Sequence, residues 1–235
     1  MALVLDEVLA LQRQVFVQAA VVGAVGQRLD AGQYIGRAGV EQLSKGQRRV
    51  ASAAEAEAIC QMADAAGVTL GVCYQNRHNP VVRYAREFIT AGYLGRLMQV
   101  QTRYVTTNVA ARDPKHWLFK RECIGGGVLQ WLGCHFIDAA RFIANADITH
   151  ASGYVATLSG HDITVEDTAT ISYRFASGAV GGLHCAHALA QSGGGYYNQA
   201  GNDTLLMFIG TLGRLYWSPT ETPTVLRAES IHPDW

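Results

Sequence analysis

The pattern of hydrophobic and polar positions changes once along this chain, near Gly95. Before that point, apolar residues recur at helical intervals over 52–67, and a serine and a glutamate at its start have capping-box spacing. Residues 68–74 are almost all apolar and predict a buried strand, parallel because a helix leads into it. A second helix is predicted over 81–91, ended by Gly92. This order is typical of an α/β unit.

Beyond Gly95 the pattern has the period of two that is typical of strands. Residues 98–107 alternate and are rich in Val, Thr and Tyr. Further strands are predicted over 149–158, 168–175, 179–187, 204–210 and 215–217. Ser177-Gly178 predicts a tight hairpin, and Thr211-Leu212-Gly213 predicts another turn. The fold class is therefore an α/β portion followed by an α+β portion: an open, mainly antiparallel sheet with flanking helices.

The first 50 residues give the weakest pattern. Residues 3–22 are compatible with a helix. Gly23 and Gly26 form a G-x-x-G pair, which is not the G-x-G-x-x-G spacing of a phosphate-binding turn, so no such turn is predicted there.

Composition and charge exclude several classes of function. Nineteen basic residues balance nineteen acidic ones without clustering, so neither nucleic acid nor an anionic membrane is expected as a partner. The N-terminus has no basic segment of the kind that begins a signal peptide, and the apolar run over 15–25 is too short to span a bilayer. Five single cysteines without a C-x-x-C pair indicate reduced thiols. We therefore expect a cytoplasmic protein.

The segment over 125–144 carries the best candidate chemistry. Gly125-Gly126-Gly127 opens a predicted amphipathic helix, where the glycines allow a ligand or another backbone to approach. At about 100° per residue, Trp131, His135 and Asp138 lie within roughly 60° of one another. An imidazole one turn into a helix is suited to proton transfer. Alternatively, His135 is a half-buried core residue and Asp138 is a surface partner of Arg141.

A polar cluster over 74–80 follows the predicted strand of 68–74. Ligands of open α/β sheets bind outside the carboxyl ends of strands, so this cluster is a candidate binding loop. Arg77 could equally pair with Glu87. His184 and His187 lie three apart on a predicted strand and point to opposite faces, which makes a poor metal pair. No metal site is predicted.

Taken in order, these segments resemble the Gfo/Idh/MocA oxidoreductases, the family of glucose–fructose oxidoreductase and inositol dehydrogenase. The resemblance extends over about 50–220 and rests on six motifs: AEAEAI at 54–59, YQNRHNP at 74–80, GGG through HFID at 125–138, VEDT at 165–168, ASGA at 176–179 and GTLGRL at 210–215.

The resemblance implies an enzyme in which a Rossmann domain binds NAD or NADP and an open sheet covers the nicotinamide and a sugar or polyol. Hydride exchange would convert a secondary alcohol and a ketone, with His135 as the proton-transfer residue. The resemblance places Gln75, Arg77 and Asn79 in the loop near the cofactor and Trp117 in a segment that could cover the substrate. Asp138 could bind a substrate hydroxyl or orient the imidazole, and Trp131 could stack on the apolar face of a sugar.

The chain departs from the family pattern at three places. Trp131 stands where the family has an aspartate, the glycine-rich fingerprint is missing, and Gln47-Arg48-Arg49 replaces the segment that carries the catalytic lysine. The second and third departures predict a chain truncated in its Rossmann domain, and we also expect the C-terminus to lack the family's usual final segment. We expect an incomplete dinucleotide-binding portion over 1–78, atypical over 1–50, and a substrate and oligomerisation domain over 79–235.

Two functional hypotheses follow. In the first, the chain is an NAD(P)-dependent oxidoreductase of a sugar-like or cyclitol-like alcohol. In the alternative, it is a non-catalytic truncated member that serves as a sugar-binding or oligomerisation module. Under both hypotheses we expect a homo-oligomer that packs through the sheet, because an open sheet leaves an apolar face in water.

Overall fold

A computed structural model describes residues 2–3, 53–65, 67, 74–106, 112–187, 202–221 and 223–235. Within these ranges, no helix has both the length and the apolar character needed to cross a bilayer. The α-helices are α1 (Ala53–Ala65), α2 (Pro80–Thr90), α3 (Arg121–Ile124) and α4 (Cys134–Ala144). The strands are β1 (Ala2–Leu3), β2 (Leu97–Thr106), β3 (Ile148–Ala156), β4 (Thr168–Phe175), β5 (Val180–Ala186), β6 (Asn202–Gly210), β7 (Gly213–Trp217) and β8 (Leu226–Ser230).

The strands form one sheet in the order β1-β3-β4-β5-β2-β6-β7-β8. Every neighbouring pair is antiparallel except β2 and β5, which run parallel with Gln101 opposite Gly182. The β4–β5 and β6–β7 hairpins arise from short turns, and Gly178 adopts a φ of 88° in the first of them. The predicted open, mainly antiparallel sheet with flanking helices is confirmed.

The main core lies between one face of this sheet and helices α2 and α4. Alternate residues of the strands point to this face, as the burial of every second residue in β4 indicates. Their apolar side chains pack with those of the two helices, and the fully buried members include Val82, Ala140, Val100, Ile171, Leu183 and Phe208. The sheet and α4 therefore form the rigid base on which the candidate site lies.

The other face of the sheet is open in the part of the chain that the structure describes. Across β3, β4, β5 and β2, it forms a shallow groove of about 840 Å³. Polar residues such as Gln101 and His184 share this groove with Val180, which is 49% exposed. Tyr154, on the same face of β3, is 71% exposed. The mixture of polar and large apolar groups leaves this face suited to contact with another surface.

Several predicted bounds changed. The helix predicted over 125–144 begins later, because Gly125 has a φ of 79° and ends α3 instead. Leu3 belongs to β1 rather than to a helix. The sequence did not predict the parallel β2–β5 pair, because this pairing is non-local. It also did not predict β8, because this strand is short and carries charged residues. Residues 68–73 of the strand predicted over 68–74, the capping serine Ser52 and the rest of 3–22 lie outside the described residues.

Candidate functional site

The three glycines that precede the helix serve a close approach between two segments of backbone. A Cβ atom on Gly127 would lie 1.8 Å from the carbonyl oxygen of Glu166. The same carbonyl accepts a hydrogen bond of 3.0 Å from the N–H of Val128. Gly125 supplies the left-handed turn. Of the two readings of these glycines, the approach of another backbone is the one that the geometry supports.

The carboxylate of Glu166 caps this helical segment. It accepts hydrogen bonds from the backbone of Gly127 and Leu129, and Arg121 lies 3.8 Å away. Burial raises the pKa of Glu166 above its ordinary value, although these donors oppose the shift. The N–H groups that begin the helical segment are thus already paired by the protein itself.

Asp167, beside it, fixes the loop after β3. Although burial acts to raise its pKa, hydrogen bonds from Ser159, Leu158 and Thr168 hold that pKa below the ordinary value. The carboxylate is completely buried. The VEDT motif therefore has a structural role: one acid caps a helical segment and the next holds a loop.

A π-helical turn, Leu129–Gly133, leads directly into α4. The N–H of Cys134 donates to the carbonyl of Leu129, five residues back, instead of four. Such turns occur often at functional sites. The wider turn changes the angle between Trp131 and His135 from that of a regular helix, and the two side chains contact different neighbours.

His135 lies in the first turn of α4 and is half-buried. The ring of Tyr74 meets the imidazole edge-to-face, with the centroids 5.7 Å apart and the planes at 84°. Tyr74 directly precedes the 3₁₀ turn Gln75–His78, so the turn and α4 meet at the imidazole. The structure thus brings the 74–80 cluster and the histidine together, as a shared site requires.

Arg77 and Asp138, assigned to cofactor and substrate, are paired with each other. The Arg77 Nε donates to one carboxylate oxygen of Asp138 at 2.9 Å, and a terminal guanidinium nitrogen donates to the other. Asp138 is 4% exposed. The two pairs considered from the sequence, Asp138 with Arg141 and Arg77 with Glu87, are not the ones observed. Arg141 pairs with Asp147, and Arg77 pairs with Asp138.

The remaining residues of the turn differ in availability. Gln75 is exposed. The side-chain oxygen of Asn79 accepts a hydrogen bond of 2.9 Å from the N–H of Val81, and so caps α2. This cap explains the asparagine before proline without a ligand.

Trp117 and Trp131 each pack against a second, smaller core. Both are partly buried on the cluster formed by Leu118, Phe119, Ile124 and Val165. Trp117 belongs to a 3₁₀ turn that His116 caps by accepting from the Leu118 N–H. The guanidinium of Arg112 lies 5.7 Å from the Trp131 ring.

His187, which the sequence argument set aside, joins this cluster. Its ring lies 5.7 Å from that of Trp131 and 5.9 Å from that of Phe119. It is 1% exposed, and neither ring nitrogen has a hydrogen-bond partner among the described residues. Burial lowers the pKa of His187 to about 4, an effect that Asp167 opposes and Arg112 reinforces. His187 directly follows β5. Its spacing from His184 predicts a poor metal pair, and burial in an aromatic cluster has no local sequence signal.

The pKa of His187 predicts a loss of stability in mild acid. Because the folded pKa of about 4 lies below the unfolded value, the unfolded chain binds the extra proton between these values. The neutral form of His187 therefore contributes its full share to the free energy of unfolding above about pH 6.5. This contribution falls by about 2–3 kcal/mol as the pH is lowered toward 4. Urea unfolding at a series of pH values measures this slope, which His187→Phe should flatten. The exposed His184 is the control: His184→Gln should keep the slope, and an unchanged slope in His187→Phe would contradict the assignment.

A family model and two curated proteins match parts of this chain. Residues 82–216 match the model of the GFO/IDH/MocA C-terminal domain. The chain is 27% identical over 113 residues to D-xylose 1-dehydrogenase [NADP(+)] of Haloarcula marismortui, covering 48% of this chain and 31% of that protein. It is 30% identical over 124 residues to 1,5-anhydro-D-fructose reductase of Ensifer adhaerens, covering 52% and 36%. The matched region is thus about a third of the length of these relatives.

A solved structure shares the fold. The aldose-aldose oxidoreductase of Caulobacter crescentus, complexed with glycerol, superimposes with a TM-score of 0.64 at 24% identity. The alignment covers 77% of this chain and 50% of that one. The sheet and its helices are therefore an arrangement already known from an oxidoreductase.

Proposed function

This chain belongs to the GFO/IDH/MocA family, and on that premise we propose that it acts in hydride transfer between NAD or NADP and a sugar-like or cyclitol-like alcohol or ketone. The observation that carries the proposal is the position of His135, half-buried at the start of α4 where the 74–80 cluster meets the helix. We also infer that 79–235 is the substrate domain and that 1–78 is an incomplete dinucleotide-binding portion, a division that the match over 82–216 supports.

The described residues fit the nicotinamide end of the cofactor in part. When bound, NAD or NADP supplies the hydride acceptor or donor. The exposed amide of Gln75 offers both a donor and an acceptor, as a carboxamide requires. Arg77 and Asn79 are already paired with Asp138 and Val81, so in this proposal they shape the binding turn and leave the direct contact to Gln75.

His135 would hold the proton of the alcohol. An imidazole changes charge near neutral pH, so it can accept the hydroxyl proton as the carbonyl forms and return it in the reverse direction. Half-burial leaves part of the ring accessible while excluding much of the water.

Trp131 and Trp117 would form the wall of the substrate site. A tryptophan face stacks on the apolar face of a sugar, and its N–H donates one hydrogen bond. The relatives, a xylose dehydrogenase and an anhydrofructose reductase, support a sugar as the substrate class. Single cysteines without a C-x-x-C pair in the sequence support a cytoplasmic location.

Titration of the purified chain with NADH and NADPH tests the proposal. We expect saturable nicotinamide fluorescence in the micromolar range, weakened by Gln75→Ala, and slow turnover with D-xylose or 1,5-anhydro-D-fructose. Gln61→Ala, at an exposed position on α1, is the matched control. A folded chain that binds neither cofactor at millimolar concentration would instead be a non-catalytic sugar-binding or oligomerisation module.

We further propose that the open sheet face packs against a second copy of the chain. Tyr154 and Val180 are its large exposed apolar residues. Light scattering of the wild type should give an oligomer at micromolar concentration, and Val180→Arg should shift it toward the monomer. Met62→Arg, exposed on α1, should leave the mass unchanged. A wild type that is monomeric at this concentration would refute the contact.

A further inference from the structure

The turn Gln75–His78 is tied to α4 by one ion pair. Both oxygens of Asp138 accept from the same guanidinium, that of Arg77. Two parallel hydrogen bonds fix the angle between the groups as well as their distance. Asp138 is buried, and it lies three residues after His135, on the next turn of the same helix. The pair therefore holds the turn at a set rotation about α4.

Tyr74 depends on the same turn. It stands at the first position before Gln75–His78, and its carbonyl accepts a hydrogen bond of 3.0 Å from the N–H of Arg77. The Arg77 guanidinium also lies 5.7 Å from the centroid of the Tyr74 ring. The residue that binds Asp138 is thus in contact with the ring that meets His135.

We propose that Tyr74, held by the Arg77–Asp138 pair, is a positioning residue that sets the orientation of the His135 imidazole. The inference rests on the proposed role of His135 in proton transfer. An edge-to-face contact restricts rotation of the smaller ring, since either ring would lose the contact by turning. A histidine restricted in this way presents one nitrogen to the substrate instead of sampling several rotamers.

The protonation state of Tyr74 suits this role. Burial raises the pKa of its hydroxyl, and the nearby Cys134 and Asp138 add to the shift, while Arg77 and Arg141 oppose it. The phenol therefore stays neutral through the pH range in which an imidazole titrates. Tyr74 therefore does not change its own charge when His135 exchanges a proton.

Three variants separate the ring contact from its support. Tyr74→Leu removes the ring, Tyr74→Phe keeps the ring without the hydroxyl, and Arg77→Lys keeps a charge without the bidentate geometry. The control is Arg86→Ala, which removes another joint between α2 and α4: Arg86 donates to Asn145 at 2.7 Å and lies over the Phe142 ring. All are made in the full chain and checked for folding by circular dichroism.

The first measurement is the NMR titration of the ¹⁵N-labelled histidine side chains. We expect Tyr74→Leu and Arg77→Lys to shift the His135 ring resonances and change its tautomer ratio, while Tyr74→Phe and Arg86→Ala keep the wild-type values. Resonances of His135 that are unchanged in Tyr74→Leu would overturn the inference. So would a Tyr74→Phe variant that behaves like Tyr74→Leu, because the hydroxyl would then be the acting group.

The second measurement is the turnover of the same variants. We expect kcat of Tyr74→Leu to fall by about 10-fold with KM for the cofactor unchanged, as loss of orientation predicts. A rise in cofactor KM at unchanged kcat would mean that Tyr74 binds the nicotinamide instead, and would overturn the inference. A wild type without turnover contradicts the proposed function alone, and the resonances of His135 then decide the inference.

Discussion

Gly127→Ala is expected to destabilise the folded chain by about 3 kcal/mol or more. The new Cβ would meet the carbonyl oxygen of Glu166 at 1.8 Å, together with that residue's carbonyl carbon and nitrogen. These are backbone atoms, so the clash cannot be relieved by a side-chain rotation. The helical segment would have to move away from Glu166, and the hydrogen bond to the Val128 N–H would lengthen or break.

Gly126→Ala is the matched control, one residue earlier in the same turn. Its Cβ would lie 2.5 Å from the end of the Gln130 side chain and not against backbone, so we expect a smaller cost of about 1 kcal/mol. Urea unfolding of both variants measures the difference. Equal losses of stability would mean that Gly127 does not lie against the Glu166 backbone.

His135→Asn is expected to lower kcat by about 10²–10⁴-fold, the usual contribution of a general acid–base group. Asparagine keeps a polar side chain of similar size but cannot exchange a proton near neutral pH. Cofactor affinity should remain unchanged, because the Arg77–Asp138 pair that holds the Gln75–His78 turn stays in place in this variant.

Steady-state kinetics with saturating nicotinamide measures this loss. His150→Asn is the control, since His150 is exposed on the opposite, open face of the sheet. A His135→Asn variant that retains more than about a tenth of the wild-type kcat would contradict acid–base catalysis by this residue.

Much of the sheet could be predicted from the sequence, because its signals are local. Strand β4 follows the predicted 168–175, and the turn at Ser177-Gly178 joins it to β5 as expected. The parallel pairing of β2 with β5 brings together residues about 80 apart in the sequence. For example, the Thr102 hydroxyl donates to the carbonyl oxygen of Gly182. No local pattern predicts such a contact. That pairing closes the gap between the two halves of the sheet.

The candidate site shows the same limit. Spacing along the chain offered Arg141 and Glu87 as partners for Asp138 and Arg77, but these two residues pair with each other across 61 positions. His187 was judged only as a metal ligand, because its aromatic surroundings come from segments distant in sequence. The sequence identifies candidate functional residues, whereas the partners of these residues depend on the tertiary structure.

The fate of the transferred hydrogen tests directly whether the chain moves a hydride between a sugar and a nicotinamide. Sugars and polyols that carry deuterium at their carbinol carbons are incubated with the chain and NAD or NADP, and the nicotinamide is then analysed by mass spectrometry. We expect one deuterium in the reduced nicotinamide with the wild type, formed much more slowly with His135→Asn. A folded wild-type chain that leaves both nicotinamides free of deuterium would contradict the proposed hydride transfer.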